Sequence, residues 1–120
     1  MDFCQKTRFV TGGHATNLPA ESTYTGVVSW ESVCIAFTIA ALNNLDNFAA
    51  DIHNAYITAP CGEKIIFTCG PEFVSEHKGK TTVVVRALYG LQSSASAFRN
   101  HLASCMEALN YIPFRADPDF

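Results

Sequence analysis

The stretch NFAADIHNAYITAP, residues 47–60, combines a short apolar run with one carboxylate and one aromatic side chain. Its segment FAADI, residues 48–52, has the length and composition of a β-strand, which predicts that Asp51 lies at the end of a strand. An aspartate in this place is typical of a turn, and Tyr56 is typical of a half-buried core aromatic. These residues alone therefore favour structural roles, because one carboxylate does not make a metal site.

The segments on either side predict further strands and two longer helices. Ser29 as N-cap, with Glu31 in the first turn, favours a helix that runs to about Asn44, and the near absence of polar residues predicts that it is buried on most sides. Apolar residues at steps of three and four predict a second helix from about Ser94 to Asn110. The other predicted strands are 6–11, 64–68 and 81–88, with a turn-rich, exposed connection at 69–80. This order predicts an α+β fold with helices packed on a small antiparallel or mixed sheet.

The composition indicates one soluble domain. The chain has 120 residues, of which 48% are hydrophobic, as is usual for a single globular domain. No apolar run of membrane-spanning length and no signal-peptide pattern occurs, so we expect an intracellular protein of the cytoplasm or nucleus, neither secreted nor bound to a membrane. Eight Lys and Arg against eleven Asp and Glu give a net charge of −3. Any nucleic-acid function must therefore depend on a local site.

The five cysteines are scattered, odd in number and without a C-x-x-C pair, which argues against a disulfide framework. A zinc site gathering Cys61, Cys69, His77 and His101 fits no standard ligand spacing. A thiol-dependent hydrolase built on Cys61 or Cys69 with His53 or His77 would need a thiolate, a base and an orienting group. The spacing singles out no such trio, so both readings remain minor alternatives.

Six blocks resemble, in this order, the reverse transcriptase domain of copia-type retrotransposons: KTRFVTGGH, SWESVCIAFTIAALNNLD, ADIHNAYITAP, PEF, RALYGLQSSASAFR and RADPDF. The resemblance spans nearly the whole chain, and its most specific part is D-I-x-N-A-Y followed by L-Y-G-L. It implies the fingers and palm of an RNA-directed DNA polymerase, with residues 1–28 fingers-like and residues 29–120 palm-like with part of the fingers. The implied partners are an RNA or DNA template-primer, deoxynucleotides and the remainder of a polyprotein.

The same resemblance implies a set of site residues. Asp51 would be the catalytic, metal-binding carboxylate, and the carbonyl of Ile52 a backbone ligand, for the Mg²⁺ or Mn²⁺ of two-metal nucleotidyl transfer. Tyr56 would occupy the position whose ring blocks a 2′-hydroxyl. The implied nucleotide-binding residues are Lys6, Arg8, Asn54, Ala55, Tyr56 and Gly90. We expect the fingers and palm members of this set to face one cleft, and the strand of Asp51 to lie beside residues 81–88.

Two departures from the family limit what the resemblance implies. The family usually reads L-Y-G-L-K-Q-A-P, whereas Gln92 and Ser93 follow L-Y-G-L here, which puts contact with the template in doubt. The Tyr-x-Asp-Asp hairpin, which carries two further metal carboxylates, does not occur in the sequence, and Asp117 and Asp119 are interpreted as structural. We therefore expect a fragment truncated before that hairpin, inactive alone and without a stably bound metal. The alternative is a non-catalytic remnant or small interaction domain derived from a mobile element.

Overall fold

The computed structural model of the protein describes residues 10–19 and 23–119. Its three α-helices are α1 (Trp30–Leu42), α2 (Ala55–Thr58) and α3 (Ser94–Ala108), and its two strands are β1 (Ile66–Thr68) and β2 (Thr81–Val83). A 3-10 turn occupies Gly13–Ala15. The fold class is α+β, as predicted, with one two-stranded antiparallel sheet in the described part of the chain. No helix in that part is long and apolar enough to cross a membrane.

Local capping interactions set the ends of the two long helices. The side chain of Ser29 accepts a hydrogen bond from the backbone N–H of Ser32 at 3.1 Å, as expected of an N-cap. An asparagine with left-handed backbone lies two residues beyond the end of each, Asn44 with φ 50° after α1 and Asn110 with φ 64° after α3. Asparagine tolerates this conformation, which closes a helix by turning the next N–H back toward the last turn. The predicted helices 29–44 and 94–110 are therefore confirmed, with ends that differ by one or two residues.

The strands β1 and β2 form the regular part of a longer antiparallel ribbon. Ile66 lies opposite Val83, and Thr68 opposite Thr81. Backbone hydrogen bonds continue the ribbon toward α2, from Val84 to Ile65, from Cys61 to Val85 and from Ala87 to Ala59. The strand predicted at 64–68 is present as Ile66–Thr68, and that predicted at 81–88 is present only over its first residues, Thr81–Val83. The connection between them is mostly exposed and rich in turns, as expected. The apolar side chains buried here and nearby are Ala59, Cys69, Val84, Ala87 and Leu91.

The prediction of a strand at residues 48–52 is wrong. Residues 45–52 have irregular backbone, and every one of them is exposed. Phe48, which the predicted strand would pack against the core, is 93% exposed. A strand requires a neighbour to complete its ladder, and the neighbour of β2 is β1. Of the predicted strand 6–11, residues 6–9 lie outside the described residues, and the remaining two have irregular backbone.

The prediction that α1 is buried on most sides is also wrong. Ala40 is the one buried residue of this helix. Five large apolar side chains of α1 are more than half exposed: Trp30, Ile35, Phe37, Ile39 and Leu42. The helix α2 packs on α3, whereas α1 packs closely on no other helix or strand among the described residues. The Cα radius of gyration, 18.7 Å, exceeds the value of about 14 Å for a compact domain of this length, in keeping with this open packing.

Candidate functional site

The motif D-I-x-N-A-Y surrounds the start of the short helix α2, which the sequence did not predict. Asn54 has left-handed backbone, with φ 54° and ψ 41°, and immediately precedes this helix. Few residues other than glycine adopt this conformation as readily as asparagine. The carbonyl of Asn54 accepts a hydrogen bond from the N–H of Ile57 at 3.1 Å, and the N–H of Ala59 donates to the carbonyl of Tyr56 at 3.0 Å. The left-handed conformation of Asn54 therefore turns the chain between the exposed segment 45–52 and the helix that carries Ala55 and Tyr56.

The ring of Tyr56 lies in an aromatic cluster that also contains Tyr89 and Phe98. Its centroid is 4.7 Å from that of Tyr89 and 6.1 Å from that of Phe98. These separations are typical of stabilising aromatic pairs. All three residues are half-buried. Tyr56 thus has the surroundings of a half-buried core aromatic, and its contact with a nucleotide stays a prediction.

The expected environment of Asp51 is not present. Asp51 and Ile52 lie in the irregular, exposed segment 45–52, not at the end of a sheet. Within residues 10–19 and 23–119, no group of three or more His, Cys, Asp or Glu side chains comes close enough to hold a metal ion. One exposed carboxylate leaves Mg²⁺ almost as well solvated by water as by protein. The described residues therefore do not fit a complete two-metal site.

The backbone at Gly90 packs closely against the N-terminal part of the described chain. Its φ of 94° lies in the region that side chains other than glycine rarely adopt. The carbonyl of the preceding Tyr89 accepts hydrogen bonds from the N–H of Thr11 at 2.8 Å and from its hydroxyl at 3.0 Å. A Cβ atom at Gly90 would overlap the carbonyl oxygen of Thr11 and lie 2.7 Å from Cγ1 of Val10. The close approach at Gly90 is thus made by the protein's own backbone, and an approach to substrate stays a prediction.

The two basic candidates of the fingers, Lys6 and Arg8, lie outside the described residues. Their shared cleft with Asp51 and Tyr56 therefore stays a prediction. The described chain begins two residues after Arg8, and Thr11 already contacts Tyr89. This contact joins the segment that follows the basic pair to the aromatic cluster.

Asp117 and Asp119 both have partners within the protein. Asp117 accepts hydrogen bonds from the backbone N–H of Ser29 at 2.9 Å and from the hydroxyl of Ser32 at 2.7 Å, at the start of α1. Asp119 forms an ion pair with Arg99 of α3. The residues near the C-terminus thus connect α1 with α3, which fits the structural interpretation of both carboxylates.

The hydrogen bond from the hydroxyl of Ser32, followed by that from the backbone of Ser29, holds the pKa of the Asp117 carboxyl below its ordinary value. A lowered pKa in the folded protein means that Asp117 stabilises the fold above about pH 4, and that this stabilisation is lost as the pH falls through the lowered pKa. Asp117→Asn should therefore weaken the acid dependence of the melting temperature below about pH 4. Melting curves followed by circular dichroism would measure it. Asp46→Asn, in an exposed segment, should behave like wild type, and an unchanged acid dependence in Asp117→Asn would contradict the prediction.

The thiols considered for a hydrolase or a zinc site have other partners. The Sγ of Cys61 contacts the carbonyl of Glu63 at 3.3 Å, and the Sγ of Cys69 contacts the hydroxyl of Thr82 at 3.4 Å. The sequence reasoning missed a different pair on α3, in which the Sγ of Cys105 lies 4.0 Å from Nε2 of His101. The spacing of four residues within the predicted helix was the signal for that pair. These contacts support neither the thiol-dependent hydrolase nor the zinc site.

A second feature that the sequence did not predict is a cavity of about 350 Å³ beside α3. It lies between this helix and the residues near the C-terminus, and its lining is mainly apolar: Arg99, Leu102, Ala103, Met106, Glu107, Tyr111, Ile112, Pro113, Pro118 and Asp119. Among the predicted site residues that the structure describes, from Asp51 to Gly90, none lines it. It is therefore separate from the candidate site.

Comparisons with models of protein families, with curated proteins and with solved structures found no match for this chain.

Proposed function

We propose that this chain is a fingers-and-palm portion of a copia-type reverse transcriptase domain, whose parent activity is RNA-directed DNA synthesis. The ordered set of sequence blocks is the basis of the proposal. One structural observation supports it most directly: Tyr56 of the D-I-x-N-A-Y block and Tyr89 of the L-Y-G-L block, 33 positions apart in the chain, have ring centroids 4.7 Å apart. Phe98, from the same block as Tyr89, completes this cluster. Two blocks that define the resemblance thus pack together.

In this proposal, Asp51 is the catalytic carboxylate, and Tyr56 and Gly90 border the nucleotide. Asp51 is exposed and free of the sheet. In this proposal, Asp51 therefore binds a metal ion only together with further carboxylates, which a longer chain would provide after residue 120. The isolated chain is accordingly inactive in this proposal, because the set of carboxylates that would hold the two metal ions is incomplete, and those ions would stabilise the charge of phosphoryl transfer.

The proposal can be tested by following the reading frame beyond Phe120 and expressing the longer chain. A Tyr-x-Asp-Asp sequence within the next few dozen codons is expected, and the longer chain should extend a primer on an RNA template with Mg²⁺ or Mn²⁺. Asp51→Ala should reduce that extension by at least about 10²-fold to 10³-fold, the loss typical of removing a group that stabilises transition-state charge. The 120-residue chain should give no extension.

Asp46→Ala is the matched control, because Asp46 is another exposed carboxylate in the segment 45–52. It should leave extension by the longer chain intact. Equal losses in both variants would remove Asp51 from the catalytic role. Extension by the 120-residue chain that disappears in its Asp51→Ala variant would show that the fragment itself polymerises.

The second candidate is a non-catalytic remnant that serves as a small interaction domain. The large apolar side chains that α1 exposes favour it, since exposed apolar patches often mark protein interaction sites. An early stop codon after Phe120 would select this candidate over the polymerase fragment.

A further inference from the structure

The helix α3 carries a histidine and a cysteine one turn apart on the same side. The Sγ of Cys105 lies 4.0 Å from Nε2 of His101. A spacing of four residues makes two side chains neighbours on the surface of a helix. Cys105 is exposed and His101 is half-buried, so solvent reaches both. The zinc site considered from the sequence shares only His101 with this pair.

Both side chains are available to a ligand. Among residues 10–19 and 23–119, the side chains of His101 and Cys105 make no hydrogen bond or ion pair other than their mutual contact. The thiols of Cys61 and Cys69, in contrast, contact a carbonyl and a hydroxyl of the protein. The sulfur of Cys105 and the ring nitrogen of His101 can therefore both turn their lone pairs to an added ion.

The distance between the two atoms is close to what one metal ion requires. A tetrahedral Zn²⁺ ion lies about 2.3 Å from a thiolate sulfur and about 2.0 Å from an imidazole nitrogen, which separates these two ligand atoms by about 3.5 Å. The observed 4.0 Å is longer by about 0.5 Å. Small rotations of the two side chains close this gap without any movement of the backbone, since Cys105 is exposed.

The backbone that carries the pair is already in place. His101 and Cys105 lie inside the 15-residue helix Ser94–Ala108, not at its ends. This helix packs on α2, and its Arg99 pairs with Asp119. A preformed helix holds the second ligand within reach once the first has bound, so the second contact forms within the same molecule and adds affinity at little entropic cost.

We propose that His101 and Cys105 together bind one Zn²⁺ ion as a chelate on the surface of α3. The imidazole donates the lone pair of Nε2 to the ion. At Cys105 the S–H bond breaks, a bond between sulfur and zinc forms from the sulfur's electron pair, and the proton passes to solvent. Thiolate with imidazole is a ligand pair that suits Zn²⁺, whereas Mg²⁺ takes oxygen ligands.

Water fills the other positions of the ion. No third His, Cys, Asp or Glu side chain joins the pair in the described part of the chain. His101 also lines an open cavity of about 320 Å³ with Asn100 and Ser104, which leaves room for bound water beside polar side chains. We therefore expect weaker binding than at a closed site with four protein ligands. The proposal is independent of the polymerase function, whose metal would bind at Asp51.

The first test is titration of the reduced, metal-free chain with Zn²⁺, followed by calorimetry. Zn²⁺ should bind, and an excess of Mg²⁺ should not displace it. Cys105→Ser and His101→Gln should each weaken Zn²⁺ binding by at least about tenfold, since even the loss of a group that only supports a metal ligand has an effect of this size. Co²⁺ used in place of Zn²⁺ should give charge-transfer absorption from the thiolate, and Cys105→Ser should abolish it.

Cys34→Ser is the matched control. Cys34 is another exposed thiol, on α1, and the residues four positions before and after it are Trp30 and Thr38. This variant should keep both the affinity for Zn²⁺ and the absorption with Co²⁺. Absence of Zn²⁺ binding by the wild-type chain, or an equal loss in Cys34→Ser and Cys105→Ser, would overturn the proposal.

The second test moves the thiol along the helix. Met106→Cys combined with Cys105→Ser keeps the number of thiols but turns the sulfur about 100° around the axis of α3. It should bind Zn²⁺ as poorly as Cys105→Ser alone, with circular dichroism showing that the helix is retained. Zn²⁺ binding equal to that of wild type would overturn the chelate.

The third test restores a ligand at the original position. Cys105→His keeps two metal ligands four residues apart on one side of the helix, an arrangement that holds Zn²⁺ in other proteins. It should bind Zn²⁺ more tightly than Cys105→Ser does, without the thiolate absorption when Co²⁺ is used. Binding no tighter than in Cys105→Ser would overturn the proposal that the spacing of the two ligands creates the site.

Discussion

Gly90→Ala should lower the free energy of unfolding by about 3 kcal/mol, because it combines backbone strain with steric overlap. At φ 94° a side chain other than hydrogen is strained even in open space. Here the added Cβ would also overlap the carbonyl oxygen of Thr11. Relief requires Thr11 to move away from Tyr89, and both hydrogen bonds between them, at 2.8 and 3.0 Å, would then be lost.

Gly79→Ala is the matched control for this variant. Gly79 also has a positive φ, 77°, but a Cβ there would meet no atom within 4 Å. It should therefore show the strain without the overlap, at a cost of about 1 kcal/mol. Urea unfolding at one fixed protein concentration would measure both variants. Equal losses in the two variants would show that the contact with Thr11 contributes nothing.

Tyr56→Ala should lower the free energy of unfolding by about 2 to 3 kcal/mol, because it removes the ring shared by the contacts to Tyr89 and Phe98. The ring is half-buried, which places the expected loss at the low end for removal of an aromatic side chain. Tyr56→Phe keeps the ring and should lower the free energy of unfolding much less. Since α2 packs on α3 around this ring, the loss should appear in the cooperative unfolding transition.

The control for this second variant is Phe48→Ala, since Phe48 is 93% exposed. Its effect should stay within about 0.5 kcal/mol, as is usual for surface substitutions. A double-mutant cycle with Tyr56→Ala and Tyr89→Ala should give a coupling energy of about 0.5 to 1.5 kcal/mol. Additive losses would contradict the stacking of these two rings. A coupling energy in the expected range would show that the D-I-x-N-A-Y and L-Y-G-L blocks pack together, which is the structural observation that supports the proposed function.

Features encoded by neighbouring residues could be predicted from the sequence. Ser29 marks the start of α1, and Asn44 and Asn110 follow the ends of the two long helices, since capping depends on a few adjacent residues. The strands β1 and β2, which lie within the predicted ranges 64–68 and 81–88, were predictable because each could pair with the other across a turn-rich connection. These elements account for most of the regular structure in the described chain.

Features that depend on distant residues could not be predicted in the same way. The run 48–52 has the composition of a strand, but it has no neighbour to pair with in the described chain. The composition of α1 favours burial of the helix, but composition alone does not specify a surface on which the helix packs. In the candidate site, the sequence suggested the half-buried environment of Tyr56 and missed the contact of Gly90 with Thr11. That contact joins residues about 80 positions apart, beyond the reach of any local pattern.

The hydrogen bonds from Ser29 and Ser32 to Asp117 also impose an order of events during translation. Asp117 is 88 residues later in the chain than Ser29. At roughly 5 to 20 residues per second, a ribosome adds Asp117 about 4 to 18 s after Ser29. Throughout that interval α1 has its own N-cap but lacks its tether to the C-terminal residues, while its apolar side chains are already made. A nascent chain stalled before Asp117 should therefore hold the start of α1 less firmly than the completed chain does.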